Sequence, residues 1–129
     1  MDEIATAHAY FDRFATAFST FEADRVADLF ATPGVALRRD GSIAALTQRE
    51  DVVRYYQAAL DGYRRTGCRT ARWSGLETVP IGGRSLLATV SWELLREDGT
   101  VATQWRQSYC LSLGDDHPRA FASAIHYAD

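Results

Sequence analysis

The side chains able to do chemistry are few and scattered. Three histidines (His8, His117, His126) and two cysteines (Cys68, Cys110) are spread over 129 residues. No two histidines have the spacing of metal ligands, so no metal site is expected. The cysteines form no short-spaced motif and read as free thiols rather than a disulfide framework. No Ser-His-Asp or Cys-His arrangement and no glycine-rich phosphate loop appears. The chain is instead rich in aromatic surface, with 12% of its residues Phe, Trp or Tyr. A few polar groups interleaved with such surface suit the wall of a pocket for an apolar small molecule. No cofactor is implied.

Charge narrows the partners further. With 14 basic and 17 acidic residues the net charge is −3, and the pairs Arg38-Arg39 and Arg64-Arg65 make no basic stripe. Nucleic acid is therefore not an expected partner. The opening Met1-Asp2-Glu3-Ile4 is acidic where a signal peptide is basic, and no apolar run approaches membrane-spanning length. No membrane partner and a cytoplasmic location are expected. An apolar fraction of 47% over this length describes one domain, residues 1–129, able to bury its own core.

The elements that position the aromatic residues can be read from their periods. Ile4, Ala7, Phe11, Phe14 and Phe18 fall three or four apart, on one face of a first helix over 2–18. Tyr10, Ala17 and Phe21 widen that face. A second helix is expected over 22–31, ended by Thr32-Pro33-Gly34. Short strands follow at 35–39 and 43–46 about an Asp40-Gly41 turn. A third helix is opened by Thr47 and Glu50 as a capping box and buries Val52, Val53, Tyr56, Leu60 and Tyr63. From Cys68 onward the period becomes two, giving four antiparallel strands. The fold class is α+β: a curved antiparallel sheet wrapped on about three N-terminal helices, cone-shaped, with a pocket between.

Two-residue turns at Gly82-Gly83 and Asp98-Gly99 place Trp73 opposite Trp92 and Trp92 opposite Trp105, one cross-strand row of tryptophans. That face also carries Leu86, Ala88, Val90, Leu94, Gln107, Tyr109 and Leu111. Pairing Leu113 with Arg119 adds Phe121, Ser123, Ile125 and Tyr127. The opposite face carries Arg72 facing Glu93, together with Gln104, Arg106, Ser108, Cys110 and His126. It is either plain solvent-facing surface or the contact face of a homodimer. On the aromatic face, Gln107, Tyr109, Tyr127 and the indole N–H groups mark a pocket rather than a solid core, because buried polar groups need partners.

This order of elements, with Arg25-Val26-Ala27-Asp28-Leu29-Phe30-Ala31, a strand, Asp40-Gly41 and Arg49-Glu50-Asp51-Val52-Val53, resembles the nuclear transport factor 2-like superfamily, within it the SnoaL-like and ketosteroid-isomerase-like group. Gln48 stands where that group usually has Gly. The resemblance implies a conical pocket and frequent dimers, and a fold that hosts isomerases, dehydratases, hydrolases and non-catalytic binders. Alignment on Leu29-Phe30-Ala31 puts Phe14 and Arg38 where ketosteroid isomerases carry an oxyanion-hole Tyr and a proton-shuttling Asp. Phe donates no hydrogen bond and Arg is no base at neutral pH, so that mechanism does not transfer. Tyr56 matches a supporting tyrosine of that site. Arg38 either points inward, where it can bind an anionic ligand, or outward, with Val35 and Leu37 inward. The candidate pocket residues are Tyr10, Phe14, Arg38, Tyr56, Trp73, Trp92, Trp105, Gln107, Tyr109, Ile125 and Tyr127. Two functions stay open: a binding protein for a small apolar ligand, catalytic by acid/base chemistry through its tyrosines if at all, or a non-catalytic dimeric regulatory module.

Overall fold

Asp2 starts the first helix: its carboxylate accepts from the backbone N–H groups of Ile4 and Ala5 at 3.0 and 3.2 Å, the capping geometry that stabilises a helix by about 1 kcal/mol. In the computed structural model, which describes residues 2–114 and 117–126, nine elements follow in order: α1 (Glu3–Phe18), α2 (Ala23–Ala27), β1 (Phe30–Leu37), β2 (Ile43–Leu46), α3 (Arg49–Arg65), β3 (Cys68–Ile81), β4 (Ser85–Arg96), β5 (Val101–Ser112) and β6 (Arg119–Ile125). The strands form one unclosed sheet in the order β2-β1-β6-β5-β4-β3. The helices cover one face of it, and the core lies between.

The expected antiparallel sheet needs one correction. β3 to β6 are an antiparallel meander, but β1 runs parallel to β6. The second helix is also shorter than its apolar spacing predicts. It stops at Ala27, and Phe30 through Pro33 already belong to β1. Proline has no N–H to continue a helix, and the backbone N–H of Ala120 bonds to Leu29 O at 2.9 Å, drawing the chain towards β6. At α3 the box is built by Gln48 and Asp51 instead of Thr47 and Glu50. Thr47 donates its N–H and hydroxyl to Asp51, and those bonds hold the Asp51 carboxyl below the usual range.

The hairpin registers are right in the strand bodies and wrong at the tips. Trp73 pairs with Trp92 and Trp92 with Trp105, and all three lie on the helix-facing side. Yet both turns are one residue longer than expected: Ile81 pairs with Ser85 across Gly82-Gly83-Arg84, and the Arg96 N–H bonds to Thr100 O across Glu97-Asp98-Gly99. A bulge around Gly75 and Leu76, and another at Ala102, each removes the extra residue before the tryptophans are reached. Gly75 has φ +64°, a conformation that favours glycine and marks such a bulge. A third shift falls at β6. Ser112, not Leu113, faces Arg119, and a bulge at Phe121 restores the predicted pairing of Gln107 with Ile125. The correction is local: Phe121, expected inward, is exposed, while Ala120 is buried.

The outer face of the sheet is closed by its own pairs. Arg72 bonds to Glu93 at 2.7 Å, Arg106 pairs with Glu77, and Thr89 and Ser108 share a hydroxyl contact at 2.7 Å. His126 lies on this face, its Nε2 2.7 Å from Ser108 Oγ. Among the described residues no helix is long and apolar enough to cross a membrane.

Candidate functional site

Between α3, the C-terminal turn of α1 and the middle of β4–β6 lies a cavity of about 340 Å³. Phe14 and Phe18 line it from α1, Tyr55, Tyr56, Ala58, Ala59 and Tyr63 from α3, and Trp92, Trp105, Gln107, Tyr109 and Ile125 from the sheet, with Arg38 just past the end of β1. Helical periodicity makes the α3 wall, since positions 55, 56, 59 and 63 recur on one face. The small side chains of Ala58 and Ala59 contribute little bulk there.

Eight of the predicted residues are brought together here: Phe14, Arg38, Tyr56, Trp92, Trp105, Gln107, Tyr109 and Ile125. Two are placed elsewhere. Tyr10 is fully buried and spends its hydroxyl on Leu29 O at 2.8 Å. Trp73 sits at the far end of the row, its indole donating to Asp12 Oδ1 at 3.1 Å and its ring meeting His8 edge-on at 4.6 Å. Tyr127 lies outside the described residues. Sequence reasoning passed over Phe18, Tyr55, Ala58, Ala59 and Tyr63. The α3 spacing carries the signal for Tyr63, but periodicity alone does not separate a cavity wall from core.

Arg38 fits neither alternative fully: it continues the inward parity of Ala36 but lies exposed at the edge of the cavity, past the end of β1. Ala36 is 1% exposed and Val35 42%, so the parity is opposite to the one that the larger apolar side chains suggest. The neighbouring strand sets it: Ala36 pairs with the buried Ser123 of β6, and side chains of paired residues share a face. The guanidinium lies 5.9 Å from the Tyr55 ring centre and donates to Ser42 Oγ at 3.0 Å. Asp40 shapes the turn, accepting from the Ser42 N–H and hydroxyl, which hold its carboxyl below the usual range.

Polar groups in the cavity are ordered by indoles. Trp92 Nε1 donates to the Tyr109 hydroxyl at 2.8 Å, and Trp105 Nε1 donates to Gln107 Oε1 at 2.8 Å. Trp105 is itself held by stacking on Tyr63, with ring centres 5.6 Å apart and planes 12° from parallel. Burial pushes the Tyr56 and Tyr109 hydroxyls well above their usual pKa, and a hydrogen bond with Ser123 offsets part of this at Tyr56. Burial also raises Tyr55 and Tyr63. All four stay protonated at neutral pH. Among the described lining residues there is no carboxylate, imidazole or thiol, and no group of three described His, Cys, Asp or Glu side chains is placed to hold a metal.

A larger groove, about 750 Å³, runs between α2, the start of β1 and the segment before β6. Three arginines line it; Arg49 pairs with Asp28 at 2.8 Å and Arg13 meets His117 Nδ1 at 3.2 Å, and the third is Arg119.

Comparison with known proteins gives a consistent picture of the fold. A protein of Caulobacter vibrioides with a cystatin-like fold superposes with a TM-score of 0.76 at 18% identity, covering 100% of this chain and 92% of its own. A putative calcium/calmodulin dependent protein kinase II association domain from Xanthomonas campestris gives 0.71 at 20% identity, covering 98% and 89%. The beta subunit of benzoate 1,2-dioxygenase from Burkholderia mallei gives 0.73 at 15% identity, covering 97% and 90%. At such identities the likeness concerns the fold alone. Among curated proteins none matches the sequence. The family described as NTF2-like protein (DUF6841) matches residues 2–127. The match spans every helix and strand described above, and the chain belongs to this NTF2-like family.

Proposed function

We propose that the chain is a binding protein for a small ring-containing molecule, apolar over most of its surface, held in the aromatic cavity. The observation that carries this reading is the composition of the wall: aromatic rings from α1, α3 and the sheet, two tryptophan-ordered polar groups, and no carboxylate, imidazole or thiol among the described lining residues. A volume of about 340 Å³ falls at the small end of the range for ligand sites, about 300–1,000 Å³. Acid/base catalysis asks for a group that takes a proton near neutral pH. The lining tyrosines, shifted upward by burial, can give hydrogen bonds but do not take protons there. Binding is therefore favoured over catalysis.

The test is a fluorescence titration with two-ring aromatic probes, read through Trp92 and Trp105, in the native chain and in Ala59→Phe. The larger ring at position 59 fills the cavity from α3. Binding is expected in the native chain and at least about tenfold weaker in the variant, a loss of roughly 1.4 kcal/mol, with the thermal midpoint little changed. Equal binding by both proteins would place the probes elsewhere and remove the proposal.

A further inference from the structure

The hydrogen bonds inside the cavity say which kind of polar head it accepts. Each hydroxyl oxygen can accept and also donate, and an amide has an accepting and a donating end. At Tyr109 the oxygen already accepts the Trp92 indole N–H, which leaves its own proton to give. At Gln107 the carbonyl end already accepts the Trp105 indole N–H, which leaves the Nε2 amide with two donors. Gln107 is 94% buried, being 6% exposed, and among the described residues no acceptor meets its Nε2. The two indoles thus bias two groups of mixed character towards donation, while Arg38, exposed at the edge of the same wall, is engaged with Ser42 beside the Asp40 carboxylate. Opposed to these there is no anionic side chain among the described lining residues.

From this pattern we infer that the cavity takes a planar aromatic molecule whose polar head is a hydrogen-bond acceptor without donor hydrogens, a conjugated carbonyl or a carboxylate. The inference rests on the proposed binding function and names its ligand class. The head meets Tyr109 and Gln107, and the ring packs between Phe14, Phe18 and Tyr63. A donor head is rejected because it sets donor against donor and leaves buried groups unpaired, the arrangement that discriminates most strongly between ligands of equal size.

Four probes with one ring system test it: 2-naphthoate, 2-acetylnaphthalene, 2-ethylnaphthalene and 2-naphthylmethylammonium, each titrated against the native chain. The acid and the ketone are expected to bind at least about tenfold tighter than the ethyl compound, and the ammonium weakest of all. An ethyl compound that binds as well as the ketone, or an ammonium that binds best, overturns the inference while leaving the binding function standing. If none of the four binds, the binding function itself fails. Gln107→Glu sharpens the result, since the new carboxylate still accepts from Trp105 but offers no donor to the cavity. Naphthoate binding is expected to fall at least about tenfold and ammonium binding to rise. Tyr109→Phe, which keeps the ring, is expected to weaken the ketone about five- to tenfold. Folding of both variants is checked by circular dichroism. Folded variants that keep the native order and strength of the four probes contradict the inference.

Discussion

The two ends of the tryptophan row show what one residue type does in two surroundings. At the α1 end, Trp73 packs against Phe11 and His8 and gives its N–H to Asp12 at the surface. That end is filled. At the α3 end, Trp105 stacks on Tyr63 and gives its N–H to Gln107, beside a cavity. Trp92 joins them, 1% exposed, touching Phe11 on one side and Phe14 and Phe18 on the other. The sheet offers the same ring at each place, so the difference comes from the helix above it. α1 lays Phe11 over the filled end and reaches the open end only with Phe14 and Phe18 at its side, whereas α3 brings Ala58 and Ala59 there. An indole becomes part of a site when its N–H orients an inward polar group rather than an outward one.

The largest expected effect comes from removing the shared member. Trp92→Ala should cost about 3–5 kcal/mol in urea unfolding, because both ends lose a neighbour and the cavity is extended. A loss under about 1 kcal/mol would mean that the two ends do not share a core. A second effect concerns the buried hydroxyls of Tyr10, Tyr56 and Tyr109, whose folded pKa values burial raises. Above pH about 10 the unfolded chain releases these protons and the folded chain keeps them, so the unfolded state binds fewer protons and stability falls as pH rises. Unfolding free energy should begin a slight fall above pH about 8.5, where the unfolded Cys110 thiol ionises and the folded one, raised by burial, does not, then decline above about 10 by up to about 1.4 kcal/mol per pH unit for each such tyrosine until its folded pKa is passed. A stability level to pH 11 would show that these hydroxyls are hydrated. The smallest effect belongs to the filled end. Asp12→Ala removes the acceptor of the Trp73 indole and the His8 contact at 3.3 Å. Because the Asp12 and His8 side chains are more than half exposed, the expected cost is below about 1 kcal/mol, with naphthoate affinity unchanged. A change in affinity would join the two ends that the comparison separates.

Much of this arrangement was legible in the sequence, and the exceptions have physical causes. The turn lengths that predict the tryptophan row are each one residue short of those observed. It survives because alternating burial along Leu86, Ala88, Val90 and Leu94 fixes the strand body, where a slip of one residue would turn the whole face over. Bulges absorb the surplus near the tips, and composition does not count residues in a glycine turn. Face alone puts Tyr10 and Trp73 with the pocket residues, but face does not say where a hydroxyl or an indole N–H finds its partner. Arg38 shows the converse. Alternation of the larger apolar residues points Val35 inward, but the parallel neighbour β6, which no local pattern announces, buries Ala36 instead and leaves Arg38 at the exposed edge of the cavity. The donor character of Gln107 and Tyr109 depends on two cross-residue bonds and became visible only with side-chain positions.

The three indole N–H protons provide the most direct test of the central claim, that the α3 end of the row is a ligand site and the α1 end is not. They can be followed separately in a nitrogen–proton correlation spectrum as 2-naphthoate is added. The signals of Trp92 and Trp105 are expected to move together and saturate at one equivalent, with that of Trp73 in place. Movement of the Trp73 signal with those of Trp92 and Trp105 unmoved would contradict the account.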